Sequence, residues 1–229
     1  MTVILTNYTE HPVRAIEEAA CNCYDSKPSE DGKIMRACIK SGHTSVTEFA
    51  TFTFHVSGVS RALLAQITRH RVGVSFAVRS QRYCSEDGFQ YVTPKTISGK
   101  PDALNRYQEL MNEINSAYEE LQSLGVPNED ARMVLPNACC TTFEVSFNLR
   151  SLMHFMNERL CTRAQWEIRE LAQKMRDEVL VYFPELMDYL VPKCEMHKPY
   201  CFCTEQKSCG RHQKLKNIFE NSENFQKST

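Results

Sequence analysis

The segment from residue 66 to residue 83 contains the densest set of side chains that could bind a charged ligand. Four arginines and His70 lie within the fourteen residues from Arg69 to Arg82, and no carboxylate lies among them. A guanidinium presents a planar fork of donors that matches a phosphate group. Because apolar residues are interleaved with the arginines, we expect a pocket for a doubly charged phosphate. A solvated basic surface is the alternative.

A second group of polar residues lies between residues 148 and 167. Arg150 and His154 are four residues apart and so share one face of a predicted helix, whereas Arg159 points about 140° away from His154. The helix thus offers polar groups to two neighbouring places. An ordinary surface helix capped by Asn148 is the alternative that these residues alone leave open.

The glycine content restricts how a nucleotide could be bound. The chain has 229 residues and only 8 glycines, and their spacing matches neither the G-x-G-x-x-G motif nor the P-loop motif. The phosphates of any nucleotide would therefore be held by side chains, chiefly Arg and Lys. The 27 basic residues are balanced by 28 acidic ones, which excludes a general electrostatic attraction to nucleic acid. We expect no nucleic-acid partner.

The start of the chain and its hydropathy bear on its location. The first residues lack the basic flank and apolar stretch of a signal peptide, and no window approaches 18 uninterrupted apolar residues. We therefore expect a cytoplasmic protein that does not enter the membrane.

Eleven cysteines are the other compositional feature. In a reducing compartment we expect most of them to be buried, unpaired thiols in apolar surroundings. This prediction covers Cys21, Cys23, Cys38, Cys139, Cys140 and Cys161. A second set lies near the C-terminus: Cys194, His197, Cys201, Cys203 and Cys209. Because neither C-x₂-C nor H-x₃-H spacing occurs there, we predict no metal ligands and keep a zinc site as the less favoured alternative.

The pattern of apolar residues predicts few strands among long helices. Period-two alternation predicts the strands Val3–Leu5, Thr51–Val56 and Thr142–Asn148. Helical spacing predicts helices over 12–23, 32–40, 60–71, 103–124, 128–135 and 150–158, and a capping box of Thr162 with Gln165 begins a last one that ends near Tyr182. We expect an α+β fold in which long helices pack on a small, mostly antiparallel sheet. One domain would cover 1–191, and a polar, Cys-containing tail would cover 192–229.

Several motifs in order resemble the flavin-dependent thymidylate synthases. They are Gly42-His43, Phe52-Thr53-Phe54, Gln66-x-x-Arg69-His70-Arg71, Ser80-Gln81-Arg82-Tyr83, Ala131-Arg132-x-Val134-Leu135-Pro136, Asn148-x-Arg150-Ser151-Leu152 and Arg159-x₄-Ala164-Gln165-Trp166-Glu167. One such motif would be weak evidence. The ordered set, spread over about residues 1–190, is specific.

The resemblance implies an α+β homotetramer that binds FAD between subunits and methylates dUMP to dTMP. It implies 5,10-methylenetetrahydrofolate as carbon donor and NADPH as the reductant of FAD. By matching position, it implies FAD contacts for Ser45, Arg69, His70, Arg71, Asn148, Arg150 and His154. It implies nucleotide contacts for Gln66, Arg69, Ser80, Gln81, Arg82, Arg132 and Arg159.

Arg159 has the implied role closest to the chemistry. Its guanidinium would stabilise the N3-ionised pyrimidine without changing its own protonation state. The resemblance implies no cysteine nucleophile. The alternative from another functional class is a non-catalytic nucleotide-binding or nucleic-acid-binding module that uses the Arg69–Arg82 patch.

The sequence departs from the family pattern in one loop and at two positions. Eight residues, Val72 to Arg79, separate Arg71 from Ser80, whereas the family's usual spacing is seven. Val78 stands where Glu or Gln is common, and Phe49 stands where His is common. We expect a local remodelling of the nucleotide loop.

Overall fold

The computed structural model describes residues 1–218, so the last part of the predicted tail, 219–229, lies outside the described residues. Within that range, four strands form one sheet in the order β1-β2-β4-β3. The strands are β1 (Thr2–Tyr8), β2 (Thr51–Ser60), β3 (Val74–Val78) and β4 (Cys140–Asn148).

The sheet is antiparallel throughout. Thr9 N donates to Thr51 O while Met1 lies beside Gly58, so β1 runs against β2. Thr53 bonds to Ser146 and His55 to Glu144, so β2 runs against β4. On the other side of β4, Asn148 N donates to Gly73 O at 3.0 Å and Arg79 N donates to Thr142 O at 2.9 Å. Residue numbers rise on one strand as they fall on the next, as an antiparallel ladder requires.

Helices and short 3₁₀ turns connect the strands. The α-helices are α1 (Pro12–Asn22), α2 (Lys33–Lys40), α3 (Arg61–Ile67), α4 (Lys95–Ser98), α5 (Pro101–Ser123), α6 (Asn128–Ala131), α7 (Leu149–Arg159) and α8 (Trp166–Tyr182). The 3₁₀ turns are Thr44–Phe49, Arg132–Val134, Pro184–Leu186 and Lys193–Glu195. Two long helices with a small antiparallel sheet confirm the α+β prediction. None of the helices within residues 1–218 is both long and apolar enough to cross a membrane.

The chain divides into two compact units. Unit 1 contains Met1–Ile4, Thr53–Arg71 and Ser75–Ser146, and its buried core includes Phe54, Leu63, Tyr118, Phe143 and Val145. Unit 2 contains Leu5–Phe52, Val72–Val74 and the described residues from Phe147 to Ile218, and its buried core includes Ile16, Phe52, Leu152, Phe155 and Leu171.

The chain between residues 67 and 79 differs from the predicted structure. The predicted helix through Arg71 is wrong, because α3 ends at Ile67. Thr68 donates both its backbone N–H and its hydroxyl to Leu64 O, and such side-chain bonds compete with helix continuation. The sequence pattern predicted no strand between residues 71 and 103, yet this segment contains β3, whose pairing with β4 is a tertiary contact.

Two further predictions are corrected by the structure. The α8 N-cap is Gln165, whose side chain accepts from the backbone N–H groups of Glu167 and Ile168 at 3.0 and 3.2 Å, so the capping box with Thr162 is wrong. Of the six cysteines predicted to be buried, Cys21 and Cys139 are buried and Cys23 is exposed. The remaining three, Cys38, Cys140 and Cys161, are half-buried.

Candidate active site

Two of the predicted nucleotide-binding arginines meet at one acidic residue in unit 1. Arg82 Nε lies 2.8 Å from the Glu129 carboxylate, and Arg132 Nε donates to the Glu129 backbone oxygen at 3.0 Å. Glu129 lies on α6, and Arg132 follows at the end of the same helix. The fold thus brings together two guanidiniums that are 50 residues apart in the sequence.

The turn after β3 positions the other residues of the Ser80–Arg82 motif. Arg82 N donates to the Ser80 hydroxyl at 3.2 Å, so Ser80 fixes the backbone of the turn. Gln81 directs its amide to Cys139 Sγ at 3.8 Å. Burial raises the pKa of the Cys139 thiol to about 11, so this sulfur is neutral at pH 7 and is no nucleophile.

Arg61 is a basic residue of the same unit that the sequence analysis missed. Its Nη2 donates to Arg79 O at 3.0 Å, while its Nε is buried without a hydrogen-bond partner among residues 1–218. Burial lowers the pKa of Arg61, the nearby Glu86 opposes that shift, and the charge of Arg132 adds to it. Arg61 begins α3 directly after the Ser60 cap, where an arginine is unfavourable for the helix dipole. That unfavourable position is the sequence signal that could have identified Arg61.

Arg61, Arg82 and Arg132 therefore give unit 1 a local excess of cations. Glu86 and Glu129 provide the opposing charge. An incoming phosphate dianion could replace a carboxylate as the partner of these guanidiniums, since Arg binds both groups through the same fork of donors.

The Arg69-His70-Arg71 run follows the end of α3 rather than forming its last turn. Arg69 and Arg71 are exposed and His70 is half-buried. Gln66 lies in the last turn of α3, where its amide donates to Ala62 O at 3.4 Å. Arg69 therefore lies beyond the end of α3, although the sequence predicted a helix through residue 71.

In unit 2 the N-terminus of α7 holds the loop before β3. Asn148 caps α7 by accepting from Ser151 N at 2.9 Å, and the Ser151 hydroxyl donates to Val72 O at 2.5 Å. Gly73 has φ +66°, and a Cβ there would lie 2.8 Å from Asn148 Cγ. Only glycine combines this backbone conformation with this close approach.

Arg150 and Ser45 lie on two elements of unit 2 that pack together. Arg150 Nη1 forms a 2.7 Å ion pair with Glu48, which lies on the same 3₁₀ turn as the exposed Ser45. The backbone bond from Leu149 N to Ala50 O at 2.8 Å fixes the end of that turn against α7. Three of the predicted FAD contacts, Ser45, Asn148 and Arg150, are thus brought together.

The two faces predicted for α7 are present. Its apolar face buries Leu149, Leu152, Phe155 and Met156. His154 is exposed, as is Arg150 one turn earlier, whereas Arg159 is half-buried at the last position of the helix. A cation in the last turn is stabilised by the helix dipole, so α7 favours a charged group at Arg159.

The chain is similar to known proteins over most of its length. A sequence model of the family described as thymidylate synthase complementing protein matches residues 4–185. The flavin-dependent thymidylate synthase of Nitratidesulfovibrio vulgaris is 36% identical over 233 residues, which cover 92% of this chain and 94% of that protein. The flavin-dependent thymidylate synthase of Geobacter sulfurreducens is 37% identical over 232 residues, covering 96% of this chain and 98% of that protein.

A solved structure is also similar to this chain. It is that of the flavin-dependent thymidylate synthase ThyX from Helicobacter pylori, complexed with FAD and dUMP. Its TM-score is 0.64 at 25% identity, and the match covers 83% of this chain and 100% of that one.

Proposed function

We propose which residues carry out the reaction of this chain, which belongs to the flavin-dependent thymidylate synthase family and is a flavin-dependent enzyme that makes dTMP from dUMP. The observation that carries the functional conclusion is the family match over residues 4–185. For the residue roles, it is the convergence of Arg82 and Arg132 on Glu129. A non-catalytic binding module is not favoured.

The nucleotide phosphate is bound in unit 1 by Arg82 and Arg132. Both guanidiniums already have Glu129 as a partner, so the phosphate takes the place of that carboxylate on Arg82. Ser80 and Gln81 lie in the same turn and add neutral donors, and Gln66 and Arg69 are further predicted nucleotide contacts. Side chains thus bind the phosphate, which a glycine-rich loop binds in other nucleotide-binding proteins.

The residues predicted to contact FAD have a donor set that fits it. An anionic pyrophosphate needs cationic or N–H donors, and unit 2 offers Arg150 in the first turn of α7, close to Asn148 and Ser45. His154 lies one turn further along the exposed face of the helix. His70 and the exposed guanidiniums of Arg69 and Arg71 are the other predicted FAD contacts. When bound, FAD supplies the two-electron redox chemistry of the reaction.

Arg159 stabilises the activated pyrimidine. Attack by uracil C5 on an electrophilic carbon requires electron density from N3 and the ring carbonyls, so negative charge develops there. A guanidinium placed beside those atoms stabilises that charge without a proton transfer. Half-burial of Arg159 reduces screening by water and so strengthens the interaction.

The co-substrates, the assembly and the location complete the proposal. We assign 5,10-methylenetetrahydrofolate as the carbon donor and NADPH as the reductant, as the family resemblance implies. The resemblance implies a homotetramer, and association between subunits is supported by large exposed apolar side chains in each unit: Phe49 and Val72 are 66% and 86% exposed in unit 2, and Tyr83 and Met133 are 79% and 77% exposed in unit 1. A cytoplasmic location is supported by eleven free thiols. The catalytic domain is 1–191, and the tail begins at residue 192.

The test combines a flavin spectrum with a methylation assay. The purified protein with FAD should show bound flavin absorbance and convert dUMP to dTMP when the folate and NADPH are supplied. Arg82→Ala should keep the flavin and weaken dUMP binding in a calorimetric titration. A protein that binds no flavin after FAD is added would refute the functional conclusion. Unchanged dUMP affinity in Arg82→Ala would refute the residue assignment alone.

A further inference from the structure

The fold brings metal-ligating side chains together in the tail. Cys194, Glu195 and His212 each offer one ligand atom, and these atoms all lie within 4.8 Å of one another. His212 Nε2 is 3.3 Å from Glu195 Oε1. In tetrahedral zinc sites, ligand atoms are about 3.3–3.8 Å apart, as the Zn–N and Zn–S bond lengths require. The nitrogen and the oxygen are therefore already at the spacing of zinc ligands, and the sulfur needs a shift of about 1 Å at most.

Two of the three residues, Cys194 and His212, line a small cavity that also contains other thiols. The cavity volume is about 20 Å³, close to the space that one water occupies. That volume admits a single ion and excludes an organic ligand. Besides Cys194 and His212, the lining includes Cys161, Cys203 and Cys209, so one cavity in unit 2 combines four sulfurs with an imidazole.

Local hydrogen bonds organise this part of the tail. Cys203 N donates to Gln213 O at 2.8 Å, and Ser208 Oγ donates to His212 O at 3.3 Å. Cys209 is exposed and lines the same cavity as Cys194 and His212. Cys209 also lies three residues before His212, a spacing within reach of a shared ion.

We propose that the tail binds one Zn²⁺ ion through Cys194, Glu195 and His212, with Cys209 as the fourth ligand. Thiolate, imidazole and carboxylate are the ligand types that zinc prefers. Binding releases the two thiol protons to solvent, and His212 coordinates as the neutral imidazole. Two thiolates, one carboxylate and the nearby Arg211 cation then balance the charge of the ion.

The ion would link the tail to the segment that follows α7, the helix that carries Arg159. Cys161, Thr162 and Arg163 line the same cavity and come directly after Arg159 and Leu160. Lys193 Nζ lies 3.9 Å from Glu158 at the end of α7. The spacing of cysteines and histidines in the sequence did not predict this site, because Glu195 and His212 fall outside the usual ligand patterns and only the fold brings them to Cys194.

The test measures zinc directly in the full chain. After incubation with zinc chloride and desalting, mass spectrometry should find about one zinc ion per chain. Cys194→Ser and His212→Ala should lower zinc affinity by more than about 100-fold, since loss of an outer-sphere partner alone costs 10–100-fold. Cys201→Ser and His197→Ala are matched controls in the same tail and should retain zinc. With cobalt instead of zinc, a thiolate-to-metal absorption band should appear, weaken in Cys194→Ser and in Cys209→Ser, which each keep one thiolate ligand, and be lost when both cysteines are replaced.

Flavin absorbance and circular dichroism establish that each variant is folded, and both readouts are independent of the metal. The proposal would be overturned if the unmodified chain held no more zinc than a chain lacking both Cys194 and His212. It would also be overturned if the folded single variants Cys194→Ser and His212→Ala kept their zinc. Unchanged zinc affinity in Cys209→Ser would overturn the choice of fourth ligand. The site is independent of the proposed enzyme activity, since none of these measurements requires turnover.

Discussion

Glu129→Gln should strengthen dUMP binding. In the structure the Glu129 carboxylate pairs with Arg82 at 2.8 Å, and the proposed phosphate site requires that guanidinium to change partner. The substitution removes the charge but keeps the size of the side chain. It also leaves the backbone oxygen that accepts from Arg132 Nε. The change therefore isolates the competition between a carboxylate and a phosphate for Arg82.

The expected size of the effect follows from the exposure of the pair. The side chains of Arg82 and Glu129 are 53% and 47% exposed, so solvent screens their attraction. Exposed pairs of this kind contribute about 0.2–1 kcal/mol. If that free energy no longer opposes binding, the dUMP dissociation constant falls by about 1.4- to 5-fold. The effect should shrink as ionic strength rises.

The assay is isothermal titration of the FAD-loaded protein with dUMP at low salt. Glu109→Gln is the matched control, because it removes the same charge from an exposed pair with Arg106 in the same unit. It should leave dUMP affinity unchanged. In an Arg82→Ala background, Glu129→Gln should have no effect. Equal or weaker binding in Glu129→Gln, or the same gain in both backgrounds, would refute the reasoning.

Three other changes test the proposed site and its support. Arg159→Ala should keep flavin binding and lower the rate of dTMP formation by about 100-fold or more, and normal turnover would exclude Arg159 from the chemistry. Gly73→Ala should lower the free energy of unfolding by about 1–3 kcal/mol in urea titrations, because φ is +66° and the new Cβ meets Asn148. Gly42→Ala, with φ +79° and no neighbour within 4 Å, should cost less, and equal losses would argue against the clash. Burial raises the pKa of the Cys139 thiol in the folded protein to about 11, from an ordinary value of 9.0. As pH rises, the unfolded chain therefore loses this proton at a lower pH than the folded protein does. The free energy of unfolding should therefore fall by about 2–3 kcal/mol from pH 9 to 11, and Cys139→Ala should show a smaller fall.

The sequence predicts elements best where local pattern and tertiary packing agree. In β4 the residues Thr141, Phe143, Val145 and Phe147 are buried and alternate with half-buried neighbours, so period two is visible in the residue types themselves. Val74, Phe76 and Val78 of β3 alternate in the same way, yet arginines and a glycine flank them. The strand exists because it pairs with β4, and that partner lies about 70 residues away.

The sequence could predict the kinds of residue that form the candidate site, but not which residues pair with one another. Arginine chemistry and motif order indicated phosphate binding, and Asn148 was a recognisable helix cap. The carboxylates that hold Arg82 and Arg150 are 47 and 102 residues away from them, so no local pattern contains either pair. The buried Nε of Arg61 is likewise a product of packing.

The ladder between β3 and β4 makes residues 73–79 a spacer of fixed length. It is bonded to β4 at both ends, from Gly73 to Asn148 and from Arg79 to Thr142, with six residue steps on each strand. The eighth residue between Arg71 and Ser80 therefore forms no bulge against β4. An insertion or deletion within Val74–Val78 would reverse which side chains face Phe143 and shift the Ser80 turn by one pleat. Length changes should be tolerated only beyond Arg79, so attempts to alter nucleotide preference by loop grafting should place their junctions in that turn.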